Sequence, residues 1–364
     1  MKILIFGLSI SSAWGNGHAT HLRGLCRELG RRDHDVTFFE KDVPYYAAHR
    51  DLAQLPQGHL MLYRQWDDIA ESADILAREA DVGIVTSYCP DALIATTTLF
   101  RSRCKLRVFY DLDTPITLAM IRDGLTCPYI PEEGLRNFDL VLSYTGGTAL
   151  NQLASELGAR RVATLYGSVD PAFHFPVSPV PEYRSDLSHL GTYAEDRAGA
   201  LRNLLVEPAL RLPHRRFLIG GPQYPKLFPW CSNIFYRPHV SPAEHSAFYC
   251  SSLLNLNVTR RAMADVGFCP SNRLFEAAAC GTVTISDPWP GLERFFKPGD
   301  EILVAEGPGD VIDALDLGDE QRKRIGRRAR ERALAEHSAA HRAIQMEQLL
   351  GGGFASTSDG LGNR

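Results

Sequence analysis

Residues 270–287 read PSNRLFEAAACGTVTISD, and this stretch decides the fold. Pro270 and Ser271 signal a helix start, with Ser in the N-cap position. Leu274, Phe275, Ala278 and Ala279 form an apolar stripe at helical spacing. Gly281 ends the helix, and 282–286 read as a short buried strand. Glu276 sits on another face, a carboxylate in an otherwise apolar turn. A helix N-terminus collects unpaired N–H groups and positive dipole, which suits a diphosphate. Glu276 lies about a turn and a half further in, placed to accept hydrogen bonds from a ribose.

The pattern around this stretch alternates strand and helix. In the first half, strands are expected at 3–6, 36–39, 82–86, 106–110, 140–144 and 162–165. A helix is expected at 18–29, with Leu22, Leu25, Cys26 and Leu29 on one face and Gly30 as its stop. Apolar runs of this kind, separated by helical patterns, indicate mostly parallel sheets covered on both faces. Residues 170–183 then carry Pro171, Pro176, Pro179 and Pro181. That density favours an extended, semi-rigid connection and marks a domain boundary. The second half repeats the pattern, with strands expected at 187–190, 217–219, 253–257, 283–286 and 302–304, and terminal helices within 320–350. The expected architecture is α/β: two Rossmann-like, doubly wound domains facing a central cleft. Their expected bounds are 1–170 and 185–335, with a Pro-rich linker at 171–184, a terminal helix at 336–350 and a Gly/Ser-rich disordered tail at 351–364.

A chain of 364 residues suffices for two domains. Its charged fraction of 23% and apolar fraction of 45% are those of a globular enzyme. A formal net charge of −4 argues against nucleic acid as the main partner. The Arg-rich run 322–332 reads as a solvated helix face. The eight cysteines lack a C-x-x-C pair and read as reduced residues of a cytoplasmic protein. The apolar run after Lys2 is too short for a signal peptide and reads as a first strand. No stretch approaches the ~20 apolar residues needed to span a bilayer, although peripheral membrane contact stays open.

Several segments carry a family resemblance. Asn257-Val258-Thr259-Arg260, the run from Arg273 to Gly281, and the run from Pro298 to Leu303 resemble GT-B glycosyltransferases of the group 1 kind, most closely the spore-maturation CgeB-like enzymes. Phe109-Tyr110-Asp111-Leu112-Asp113-Thr114-Pro115 and Ser143-Tyr144-Thr145-Gly146-Gly147 resemble the same family, so the likeness covers nearly the whole chain. It implies a transferase of the hexosyltransferase kind with a nucleotide-sugar donor on the second domain and the acceptor on the first. It also implies that the last helix crosses back to the first domain. Donor base, sugar and acceptor (saccharide, small molecule or protein) stay open, as do stereochemistry and oligomeric state.

The cleft sits at the carboxyl ends of both sheets in such a fold, so loops after strands hold the candidates. On the donor side, many retaining relatives place an Arg just after the Gly of the first loop and a Lys five residues later. Here Gly191 is followed by Thr192, and Arg197 fills the Lys position, where a guanidinium can grip phosphate bidentately. Arg273 or Arg260 would replace the missing Arg. The E-x7-E pair of retaining relatives is half present: Glu276 matches the second Glu, and Phe268 occupies the first position. Ser271, Asn272, Asn257 and His239 complete the donor-side set, with a polar or surface loop as the competing reading for Asn257 and His239. His239 and His245 are candidates for lining the nucleotide base.

On the acceptor side, Gly15-Asn16-Gly17-His18 allows close backbone approach to a ligand. It is not a dinucleotide fingerprint, and Glu40 at the ribose-acid distance of a dehydrogenase is a lone match. Asp111 and Asp113 flank Leu112 just after a strand, and alternation sends both toward the cleft. Either could act as a general base, or bind acceptor, with helix capping the competing role for Asp113. His18 is a second candidate base. No metal-ligand spacing appears, so no metal and no cofactor beyond the nucleotide-sugar co-substrate is expected. The alternatives are a nucleotide-sugar 2-epimerase and a non-catalytic sugar-nucleotide-binding module.

Overall fold

The structure is a computed structural model and describes residues 1–351. The tail expected at 351–364 lies, beyond Gly351, outside the described residues.

The first half builds seven parallel strands: β1 (Lys2–Gly7), β2 (Asp35–Lys41), β3 (His59–Tyr63), β4 (Val82–Thr86), β5 (Leu106–Asp111), β6 (Leu140–Ser143) and β7 (Val162–Thr164). Their order is β3-β2-β1-β4-β5-β6-β7. The second half builds six more: β8 (Ser185–Leu190), β9 (Phe217–Gly220), β10 (Ile234–Arg237), β11 (Ser252–Asn257), β12 (Thr284–Ser286) and β13 (Leu303–Val304). Their order is β10-β9-β8-β11-β12-β13, again with every pairing parallel. Both sheets reverse direction beside their first strand. Those two switch points open onto one crevice, where ligands bind in doubly wound sheets.

Period-two alternation sorts side chains into the layers above and below each sheet. Ile3 and Ile5 enter one core of the first sheet, and Leu4 and Phe6 enter the other. Two strands, β3 and β10, escape the sequence reading. Both are outermost in their sheets, and both are half exposed, so neither carries the apolar run that marks a central strand.

The helix Asn272–Ala279 follows the loop after β11. Leu274, Phe275, Ala278 and Ala279 pack among Trp289, Phe295 and Phe296. Gly281, at φ +73°, takes the left-handed conformation that ends it. Ser271 has the extended backbone of an N-cap, yet its hydroxyl makes no capping bond. The first turn is thus left uncapped by side chains, toward the crevice.

The linker runs along the second half, where Ser251 Oγ accepts from Val180 N at 2.9 Å and Ser246 Oγ donates to the Phe173 carbonyl at 2.9 Å. Its start is pinned to the His18–Arg31 helix by an ion pair between Arg27 and Asp170. Two terminal helices follow, Asp319–Glu336 and Ala339–Gly351. The second returns to the first half, packing Ala343, Met346 and Leu350 against Leu22, Leu25, Cys26 and Leu29. Glu347 adds an ion pair to Arg32 at 2.6 Å and a hydrogen bond with His34 Nε2 at 2.7 Å.

Candidate functional site

The crevice between the sheets holds a cleft of about 470 Å³. Loops after β1, β4, β8, β9 and β11 line it, with the start of the Asn272–Ala279 helix on one side and the start of the His18–Arg31 helix on the other.

On the second-domain wall, two arginines converge. A Cβ added at Gly191 would lie 2.5 Å from Arg273 Nη2 and 3.2 Å from Arg197 Nη1, so only glycine lets both guanidiniums close over this turn. Arg273 donates to the Leu190 carbonyl and, at 2.7 Å, to Asn257 Oδ1. Among the described residues no carboxylate forms an ion pair with either arginine. Burial, and then the charge of Arg273, brings the Arg197 guanidinium down to about 10. His189 sits behind them on β8, fully buried, with Nδ1 bonded to the Leu256 carbonyl at 2.9 Å and Nε2 without a partner. Burial, with Arg273 and Arg197 beside it, holds this ring neutral, well below the ordinary imidazole range. Two unpaired cations beside an uncapped helix start make an anion site.

Thr192, Ser271 and Asn272 line the same wall. Asn272 also ties the domains together: Oδ1 accepts from Tyr144 OH at 2.7 Å, and Nδ2 donates to the Gly17 carbonyl at 3.1 Å. Arg260 reaches the cleft but is paired with Asp196 at 2.9 Å. His239 lines the cleft and meets Trp14 at 4.4 Å between ring centroids. Asn257 is placed differently from the expectation. It is fully buried as the last residue of β11, where Nδ2 donates to Ser286 Oγ at 2.9 Å and Oδ1 accepts from Arg273, so it braces that guanidinium from behind.

Deeper in the cleft, Glu276 is 5% exposed. Thr20 donates to Oε1 at 3.0 Å and Tyr249 donates to Oε2 at 2.9 Å. His174 and His245 each lie 3.8 Å from this carboxylate. Burial alone pushes the carboxyl up; the two histidines and two hydroxyls outweigh it and hold Glu276 below its ordinary range. His174, His245 and Glu276 bring three potential metal-ligating atoms within 4.8 Å of one another. They come from the linker and two helices, so no local spacing in the sequence reveals them.

Phe268, at the first position of the E-x7-E pattern, faces away from the cleft. It takes φ +48° and lies against Gly146, Gly147 and Gly291, while its carbonyl accepts from Gly146 N at 2.9 Å. The side chain wedges the seam between the domains.

On the first-domain wall, the two aspartates separate. Asp113 lines the cleft, accepting from Tyr88 OH at 2.9 Å with His18 Nε2 at 3.4 Å. Burial pushes its carboxyl up, but His18 and the Tyr88 hydroxyl prevail, so Asp113 stays ionised below its ordinary range. It occupies the N-cap position of the Thr114–Arg122 helix without making the side-chain cap. Asp111 corrects the sequence reading. It is wholly buried beneath the cleft floor, where Thr117 donates to Oδ1 at 3.0 Å and Oδ2 has no partner. Burial raises its carboxyl to about 6. The alternation argument fails because β5 ends at Asp111, so Asp113 already belongs to the helix start. Glu40 is also internal: its carboxylate accepts from Ile10 N, Ser11 N, Ser9 Oγ and Ser11 Oγ, and so shapes the loop after β1. In that loop Gly15, Asn16 and Gly17 all line the cleft.

Tyr88, Thr20, Tyr144, Tyr249 and His174 were missed from sequence. Tyr88 and Tyr144 carried a usable signal, since they follow the carboxyl ends of β4 and β6; the φ of +66° at Tyr88 is an uncommon value for a non-glycine residue.

The fold is GT-B. Sucrose-phosphate synthase from Thermosynechococcus elongatus is similar, with TM-score 0.72 and 14% identity over 98% of this chain and 100% of that one. So is HepE from Anabaena, solved with UDP-glucose, with TM-score 0.65 and 13% identity over 97% and 100%. So is an alpha-glucosyltransferase solved with UDP and a 13-mer DNA, with TM-score 0.69 and 12% identity over 96% and 99%. At such identities the likeness is one of fold. A family model described as glycosyl transferase-like matches residues 197–348 of the GT-B chain, which spans both Arg197 and the Asn272–Ala279 helix. No curated protein matches the sequence. Among the described residues, no helix is long and apolar enough to cross a membrane.

Proposed function

We propose that this protein is a glycosyltransferase that moves a sugar from a nucleoside-diphosphate-sugar donor to a hydroxyl or amine acceptor. The observation that carries the reading is the convergence of Arg197 and Arg273, unpaired, over Gly191 beside an uncapped helix start. A diphosphate is the ligand whose charge and size suit that arrangement. As the glycosidic bond breaks, negative charge grows on the leaving diphosphate, and preorganised guanidiniums and helix N–H groups stabilise that charge where it develops. This supports a mechanism without a divalent ion on the diphosphate. The free lone pairs of Glu276 suit the ribose hydroxyls, and His239 with Trp14 suits the base. Across the cleft, Asp113 is the candidate base for the acceptor, with His18 and Tyr88 holding it. The resemblance of the Arg273–Gly281 run supports membership of the CgeB-like group and a hexosyl donor. The free cysteines support a cytoplasmic setting.

Because two of the structural neighbours were solved with UDP or UDP-glucose, UDP and UDP-glucose are the first probes. Calorimetry with UDP in the presence of EDTA should give 1:1 binding that Arg273→Ala weakens by ~1.5–3 kcal/mol, the scale of a hydrogen bond to a charged group. Release of UDP from UDP-glucose, with or without EDTA, reads turnover. Binding without turnover of any donor in a panel would make the protein a binding module. No affinity for any nucleoside diphosphate would refute the reading.

A further inference from the structure

The buried carboxylate of Glu276 has an unusual set of neighbours. No lysine or arginine lies within ion-pair distance of it among the described residues; His174 and His245 stand 3.8 Å from it instead, and burial brings His245 down to about 4. A carboxylate offers about four lone-pair positions. Thr20 and Tyr249 take one on each oxygen, so each oxygen keeps one. An ionised group this deeply buried is costly unless its surroundings are polar and ordered.

The two histidines supply that order. His174 Nε2 and His245 Nδ1 lie 3.4 Å apart, within hydrogen-bond distance of each other. The same two nitrogens face the carboxylate, His174 Nε2 3.8 Å from Oε1 and His245 Nδ1 3.8 Å from Oε2. The pair forms a polar wall along one side of the carboxylate. His174 belongs to the linker, where its backbone N–H donates to the Asp170 carbonyl at 3.0 Å, and Arg27 grips Asp170. Thr20 belongs to the first domain, and His245 and Tyr249 to the second. First domain, linker and second domain thus all meet at one carboxylate.

We infer that His174 and His245 are positioning residues that fix the Glu276 carboxylate with its free lone pairs turned to the cleft, for the vicinal hydroxyls of the donor's ribose. This rests on the assignment of Glu276 to the ribose in the proposed function. His174 stands outside the cleft lining and His245 lines the cleft beside Glu276; each acts on the ribose through the carboxylate. The inferred specificity is for a ribonucleoside diphosphate over its deoxy counterparts.

The test compares three ligands on the whole protein by calorimetry: UDP, 2′,3′-dideoxyuridine diphosphate and inorganic pyrophosphate. Wild type should prefer UDP to the dideoxy analogue by about tenfold or more. His174→Ala and His245→Ala should shrink that preference to within about threefold of unity, as Glu276→Gln should, with pyrophosphate affinity unchanged. His245→Asn, whose amide can occupy the Nδ1 position, should restore most of the preference and guards against variants that fold poorly. A wild-type preference in both His→Ala variants, while Glu276→Gln abolishes it, overturns the histidine role alone. A parallel loss of pyrophosphate affinity overturns it too, because the histidines would then merely support the fold. An unchanged preference in Glu276→Gln removes the ribose assignment itself, and the inference with it. One-to-one Zn²⁺ binding that all three variants abolish, with nucleotide selectivity untouched, overturns it in favour of a cation site.

Discussion

Replacing Arg197 by methionine should move stability and ligand affinity in opposite directions. In the unliganded protein, Arg197 faces Arg273 with no carboxylate in an ion pair to either. Burial, with Arg273 adding its charge, depresses the Arg197 guanidinium to about 10. A drop of that size corresponds to roughly 3 kcal/mol favouring the neutral over the charged form in the folded state. A basic group with a depressed folded pKa destabilises the fold at every pH below that value, and the penalty fades only as pH rises through about 10 toward the unfolded value. Arg197→Met keeps an apolar stem in place and removes the charge. Part of the relief is lost with the packing of the longer side chain. A net gain of about 1–2 kcal/mol is the expected result at pH 7, seen as a raised unfolding temperature without nucleotide. The same change should weaken UDP binding by ~1.5–3 kcal/mol, roughly ten- to a hundredfold, for a lost charge-assisted contact. Differential scanning calorimetry on the unliganded protein and titration calorimetry with UDP read the two quantities. A variant that is less stable than wild type yet binds UDP equally well would show that Arg197 serves the fold, and the anion-site argument would fall.

Three further outcomes follow from the same geometry. Asp113→Asn should leave UDP affinity intact and lower kcat by roughly 10²-fold, the scale of a positioned proton transfer, with His18→Ala lowering it less; unchanged turnover in both would move the acceptor chemistry elsewhere. Asp111, whose buried carboxyl is raised to about 6, destabilises the fold above that pH and ceases to do so as pH falls toward its unfolded value. Asp111→Asn should therefore raise the unfolding temperature at pH 8 and give no gain at pH 4; an equal gain at both would exclude the burial explanation. Gly191→Ala should fold normally, since its Cβ meets only side-chain tips, but should displace both guanidiniums and cut UDP affinity about tenfold or more in titration calorimetry. Wild-type affinity would mean that the arginines do not converge on the ligand.

Much of this protein was legible in its linear sequence. Central parallel strands are buried on both faces, so β1 and β4 show as apolar runs without help from their neighbours. The Asn272–Ala279 helix is similarly self-declaring, because a start residue, an apolar stripe and Gly281 are all local signals. Arg197, Arg273 and Glu276 could be singled out because each sits in a loop or helix that follows a strand, and topology alone sends such positions to the cleft.

Tertiary structure decided what those residues face. Asp111 and Asp113 look equivalent in sequence, but β5 stops between them, so one is sealed under the floor and the other meets His18 and Tyr88. Asn257 proved to be a brace for Arg273, because its amide is held between Ser286 on the neighbouring strand β12 and the guanidinium itself. Edge strands β3 and β10 have one open side and so lack the apolar signature of the rest. His174, His245 and Thr20 meet Glu276 from separate segments, up to 256 positions apart. Local sequence records the periodicity of burial, which one element can express alone; which side chains share a cleft depends on how distant elements pack, and no short-range pattern carries that.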